Sequence, residues 1–130
     1  MVQLLDTGIK KVRNVPDYII GEGSLSSLAD MLQQRRENED GPVWFFVDEF
    51  FKEKSDLADL LSTLHTDHIE YVQTHKEPTT KYINALLGRM SAVSHKTPCA
   101  IVGFGGGITL DTAKAISNLV TNGGQAEDYQ

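Results

Sequence analysis

The sequence predicts an α/β domain with a mostly parallel sheet and flanking helices. Three observations lead there. Short apolar runs alternate with segments of helical periodicity, as βαβ units require. Two of those runs, residues 43–47 ("VWFFV") and 99–104 ("CAIVGF"), are apolar almost throughout, the pattern of strands buried on both faces. The second runs straight into "GGGITLDTAK", a glycine turn that opens a helix.

Each element has its own local reason. Residues 11–20 ("KVRNVPDYII") predict two short extended pieces broken at Pro16, because proline disfavours helix at its own position and at the one before. Ser24 is placed to cap a helix whose apolar residues Leu25, Leu28, Ala29 and Leu32 recur at helical spacing. The charge run 35–41 ("RRENEDG") closes that helix and turns towards the next strand as a solvated segment. The strand 43–47 ends at Asp48. Ser55 or Asp56 caps a further helix, with Leu57, Leu60, Leu61 and Leu64 on one face. Residues 69–73 ("IEYVQ") predict a strand. Thr79, after Pro78, caps a helix carrying Ile83, Leu86, Leu87 and Met90 at i, i+3, i+4 and i+7. The last helix starts near Thr109, passes through Ala113, Ile116 and Val120, and stops at "NGG", residues 122–124.

Composition narrows the function classes. The 130 residues suit one ordinary domain, residues 1–130, with a real core. A net charge of −6 excludes the basic footprint that supplies most nucleic-acid affinity. The single cysteine, Cys99, rules out an intrachain disulfide and suits a reducing compartment. No apolar run approaches membrane-spanning length, and the N-terminus lacks the charged-then-apolar order of a signal peptide. The expectation is a cytoplasmic protein with neither nucleic acid nor membrane as partner.

The glycine loop carries the chemistry. In parallel sheets with right-handed crossovers, ligands bind outside the carboxyl ends of the strands. Asp48 and the glycines both stand at such ends. The dinucleotide fingerprint G-x-G-x-x-G fails when started at Gly103, because its third glycine is replaced by Ile108 and no acid follows about 20 residues on. A nucleotide-triphosphatase loop fails because Lys114 follows Ala113 inside the helix, and a nucleophile elbow fails for want of a serine. A phosphate cradle remains. Gly105, Gly106 and Gly107 leave the backbone open to an oxygen-rich group, and the helix start offers unpaired N–H groups and its positive dipole end. Thr109 is a natural cap, and Asp111 lies in the first turn. A tight strand-to-helix turn with no ligand, and a plain helix-start role for Asp111, are the competing readings.

"GGGITLDTAKAIS" resembles the G-G-G-S-x-x-D-x-A-K pattern of the iron-dependent (group III) alcohol dehydrogenases, which share a scaffold with dehydroquinate synthases and glycerol dehydrogenases. Upstream, "YIIGEGSLSSLADML", "FFVDE" and "EPTTKYINAL" resemble the family's opening strand and helix, its strand ending in aspartate, and its Pro-Thr entry to a helix. The resemblance implies a Rossmann-like, dehydroquinate synthase-like N-terminal domain, with the C-terminal helical metal domain absent from these 130 residues. It implies cofactor contacts at Asp48, Glu77, Gly105, Gly106, Gly107, Ile108, Thr109, Leu110 and Asp111. Asp48 falls on the aspartate that contacts the adenosine ribose, which implies NAD(H) preferred over NADP(H). Asp48 as a strand-end loop acid and Glu77 as a loop acid stay open beside this. Ile108 departs from the family's serine or threonine, which leaves the backbone amides to bind the cofactor there.

The resemblance further implies a divalent metal, iron or zinc, on ligands outside this sequence, an alcohol or sugar-acid substrate, and compatibility with a homodimer. No catalytic or metal-ligating residue is expected among residues 1–130. His65, His68, His75 and His95 read as surface residues and Cys99 as a small core residue. The tail "AKAISNLVTNGGQAEDYQ" most resembles the enzymes that oxidise the terminal hydroxyl of 3-deoxy-manno-octulosonate. The whole reads as the N-terminal, cofactor-binding part of a longer oxidoreductase, inactive by itself. A sugar-phosphate cyclase or glycerol-phosphate dehydrogenase on the same scaffold, and a non-catalytic nucleotide-binding domain, are the alternatives.

Overall fold

The computed structural model describes residues 21–54 and 56–123. Within them three parallel strands, β1 (Val43–Asp48), β2 (His68–Val72) and β3 (Ala100–Phe104), form one sheet in the order β2-β1-β3. Trp44 pairs with His68 on one side and with Ile101 on the other. β1 is therefore central, and every residue from Val43 to Val47 is buried. The extended pieces expected over residues 11–20 lie outside the described residues, as do Ser55 and Gly124.

Strand alternation sorts β1 into two layers. Val43, Phe45 and Val47 pack with Leu32 of α1 (Leu28–Asn38), Leu57 of α2 (Leu57–Leu60), Leu61 and Cys99. Trp44 and Phe46 face the other way, onto Ile83, Leu86 and Met90 of α3 (Thr80–Val93) and Ala113, Ile116 and Leu119 of α4 (Gly107–Asn122). Phe45 and Phe46 are both wholly buried on opposite faces, so truncating either to alanine would cost about 3–5 kcal/mol. The outcome is a doubly wound, Rossmann-like α/β fold with helices on both sides of the parallel sheet, as the alternating pattern predicts. No helix of the described residues is long and apolar enough to cross a membrane.

α3 begins as the sequence indicates. Thr79 is extended, its Oγ1 accepts from the Tyr82 N–H at 3.0 Å, and its carbonyl accepts from the Ile83 N–H at 3.0 Å. Three other expectations are corrected. Ser24 does not cap α1: a 3₁₀ turn, Ser24–Ser27, precedes the helix, with Gly23 at its N-cap. Gly21 and Gly23 hold φ 143° and 75°, and their carbonyls accept from the Ser24 and Ser26 amides, so backbone replaces the serine side chain in that role. The helix expected through Leu64 stops at Leu60, because Ser62 turns left-handed at φ 57° and the Thr63 N–H closes back on Ala58 O at 2.9 Å. Leu57 and Leu61 stay in the core, whereas Leu60 and Leu64 are exposed. β3 is half-buried along its length rather than buried on both faces, since among the described strands it has a neighbour on one side only.

One polar clasp fixes the start of β1. The Asp67 carboxylate accepts from the Val43 N–H at 2.9 Å and the Leu64 N–H at 2.8 Å, and pairs with Arg36 of α1. The side chain of Asp67 is only 2% exposed. Backbone amides and a guanidinium together offset the cost of burying that charge.

Candidate functional site

The connections position the site. α2 follows β1 and packs on the face of Phe45, whereas α4 follows the adjacent strand β3 and packs on the face of Phe46. Neighbouring strands whose connections leave on opposite faces open a crevice outside their carboxyl ends. Here that crevice measures about 510 Å³, within the range of small-molecule sites. Asp48, Phe50 and Phe51 wall it on the β1 side; residues 103–106 and Leu110 wall it on the β3 side.

Asp48 ends β1 and caps the 3₁₀ turn Glu49–Phe51. Its Oδ1 accepts from the Phe50 N–H at 2.9 Å and lies 3.5 Å from the Thr74 hydroxyl, which donates from the loop after β2. These bonds fix one carboxylate oxygen and orient the half-buried side chain at the crevice wall.

The four glycines of the loop divide into two pairs. Gly103 lets β3 approach α4: a Cβ there would stand 2.9 Å from Ala113 Cβ and 3.3 Å from Leu110 Cδ2. Gly105, at φ 154°, leaves room for Asp48 and Thr109, whose atoms would lie 2.8 to 3.1 Å from an added Cβ. Both are demanded by the fold. Gly106 and Gly107 are not, for a Cβ on either meets nothing within 4 Å, and Gly106 holds ordinary extended backbone at φ −85°. Glycine loses more conformational freedom on folding than any other residue, and no neighbour in the chain requires one at Gly107.

α4 starts two residues earlier than the sequence indicates. Gly106 is its N-cap, with no capping side chain, and the first helical bond runs from the Leu110 N–H to Gly106 O at 3.0 Å. The amides of Gly107, Ile108 and Thr109 therefore precede the hydrogen-bond ladder, at the positive end of a 16-residue helix. Thr109 is not the cap. It is fully buried, and its Oγ1 has no hydrogen-bond partner. Asp111 is not in the first turn; it is the fifth helical residue and exposed. Ile108 is half-buried, and its carbonyl accepts from Thr112 Oγ1 at 2.8 Å.

Of the residues singled out from sequence, Asp48, Gly105, Gly106 and Leu110 line the crevice, and Gly107, Ile108 and Thr109 form the adjoining helix start. Asp111 and Glu77 are exposed and are not among the lining residues. Sequence reasoning missed Phe50, Phe51 and Phe104. The signal was the "DEFF" run, in which two aromatic residues directly follow the end of a strand. Among the described residues no three His, Cys, Asp or Glu side chains gather closely enough to hold a metal ion. His65, His75 and His95 are exposed, and His68 lies in β2 with its ring 4.5 Å from that of Trp44. Cys99 is buried in the core, where desolvation pushes its thiol above the ordinary range against the opposing pull of Arg36.

Fold and site together define a doubly wound α/β domain with an open crevice at its topological switch point, between an aspartate and an uncapped helix start. Residues 16–130 match the model of the iron-containing alcohol dehydrogenase family. The chain belongs to that family. Membership implies oxidoreductase chemistry with a nicotinamide cofactor and an iron or other divalent metal.

Proposed function

We propose that residues 1–130 form the dinucleotide-holding part of a metal-dependent alcohol dehydrogenase, in which hydride passes from a primary alcohol to NAD. The observation that carries this reading is the pair Gly106 and Gly107. Both open onto empty space at an uncapped helix N-terminus, where a pyrophosphate can reach the amides of Gly107, Ile108 and Thr109. Gly105 lets the loop close against Asp48 and fixes the width of the crevice. Asp48 accepts from the hydroxyls of the adenosine ribose and repels a 2′-phosphate, which favours NAD(H) over NADP(H). Leu110 offers an apolar wall. Glu77 and Asp111 act at the margins, towards the adenine and nicotinamide ends respectively.

Bound dinucleotide supplies the hydride acceptor, and the chain's own residues hold and orient it. Among the described residues no cluster of His, Cys, Asp or Glu gathers to hold the metal. The resemblance of the tail supports a sugar-acid substrate, with the terminal hydroxyl of 3-deoxy-manno-octulosonate as the alcohol.

Calorimetric titration of the full chain with NAD+ and NADP+ tests the reading. NAD+ binds more tightly, and Asp48→Ala weakens NAD+ while narrowing the gap to NADP+. Equal affinity of the wild type for both ends the ribose role of Asp48, and no binding of either ends the dinucleotide assignment.

A further inference from the structure

We propose that Phe50 is the platform on which the adenine of the dinucleotide stacks, with Leu110 closing the slot from the opposite wall; this rests on the dinucleotide reading above. Six large hydrophobic residues of the described chain are notably exposed, and Phe50 is the most exposed of them at 70%. Leu110, at 42%, is another. They come from different elements, the turn after β1 and the first turns of α4, yet both line the same crevice. An isolated exposed apolar side chain needs no explanation, but two lining one largely apolar crevice mark a place for a flat apolar group.

The ring is held from behind. Phe104, the last residue of β3, lies 4.9 Å from Phe51 between ring centroids, and Phe51 meets Phe50 edge-on at 5.2 Å and 89°. Three rings thus run from the end of β3 to the outer lip of the crevice, the inner two half-buried and the last open to solvent. Lys54 Nζ sits over one face of the ring, 5.7 Å from its centroid, and at 70% exposure the side chain keeps open surface for a base. An edge-on neighbour and a cation both restrict the ring at modest enthalpic gain, which lowers the entropy lost when a base settles on it.

The choice of adenine follows from the Asp48–Phe50 bond. The Phe50 N–H donates to Asp48 Oδ1 at 2.9 Å, so the carboxylate and the backbone that carries the ring belong to one turn. A base is joined directly to its own ribose, whereas the second nucleoside lies beyond the pyrophosphate at α4. The ring beside the ribose acid therefore meets the base of that same nucleoside. The assignment makes Phe50 a positioning residue for the cofactor; it touches no reacting atom.

Titration of the full chain with AMP, nicotinamide mononucleotide and NAD+ tests the proposal on wild type, Phe50→Ala and Phe50→Tyr, with circular dichroism confirming the fold. Phe50→Ala weakens AMP and NAD+ by roughly tenfold and leaves the mononucleotide unchanged, while Phe50→Tyr keeps wild-type affinity. The adenine H2 and H8 resonances of bound AMP move upfield in wild type and not in Phe50→Ala. If wild type binds NAD+ and Phe50→Ala binds AMP and NAD+ equally well, stacking is wrong and the dinucleotide reading stands. A loss confined to the mononucleotide gives the ring to nicotinamide and overturns the proposal. Failure of wild type to bind NAD+ removes both.

Discussion

Gly105 and Asp48 touch across the ends of two neighbouring strands: a Cβ on the glycine would stand 2.8 Å from the Cβ of the aspartate. The contact makes the glycine loop and the strand-end acid one structural unit. Gly105→Ala forces the two apart, at a φ of 154° that disfavours any side chain. The expected cost is about 1–3 kcal/mol of stability, read by urea unfolding, together with loss of the Asp48-dependent discrimination between NAD+ and NADP+.

Gly107→Ala separates ligand from fold. With nothing within 4 Å of the added methyl, the substitution raises stability by about 0.4–1 kcal/mol, chiefly by restricting the unfolded chain. NAD+ affinity falls in the same variant, because the methyl group obstructs approach to the α4 amides. A thermal melt with and without NAD+ shows both effects. A variant that is stabilised and binds normally would return the loop to a plain turn.

Asp67→Ala leaves the Val43 and Leu64 amides and the Arg36 guanidinium without their common acceptor. Breaking a pair whose carboxylate is this deeply buried costs about 3–5 kcal/mol. Because the clasp fixes the first residue of the central strand, the loss appears as a lower urea midpoint of the whole transition. Local fraying with an unchanged midpoint would contradict the assignment.

Burial raises the Cys99 thiol above its unfolded value, and the sign of the pH effect follows. The native state holds its thiol proton to higher pH than the unfolded state, so the stabilisation is fully present below the unfolded thiol's pKa. It is lost as pH rises through the folded value. Urea midpoints of wild type should therefore fall more steeply with alkaline pH than those of Cys99→Ala. A disulfide reagent at neutral pH should label Cys99 only after unfolding, and rapid labelling of the native chain would place the thiol at the surface.

Much of this was legible in the chain. "VWFFV" pointed to a strand buried on both faces, which β1 is, and Thr79 pointed to the start of α3 because its side chain does what a cap does. The start of α4 at Gly107, not near Thr109, has a physical reason. Local preference favours Thr109 over glycine as a cap, but the fold draws that threonine under the loop against Gly105 and leaves Gly106 to begin the helix. Likewise the leucine spacing from Leu57 to Leu64 is helical, yet the left-handed Ser62 breaks it. Asp48 and the glycines were identifiable as strand-end features. That they face each other, and that Phe50 and Leu110 stand exposed at the same crevice, depends on the β2-β1-β3 order, which no local pattern encodes.

That order also shapes how the chain must be made. β1 leaves the ribosome before either of its partners, and its ladder with β2 waits for His68, that with β3 for Ala100. No two of the three strands join through a hairpin, so each pairing closes a long loop before any sheet contact repays it. Until then the densest apolar run of the sequence, residues 43–47, is a bare hydrophobic segment on a growing nascent chain. The strand that anchors the finished domain is the one that waits longest for its partners during synthesis.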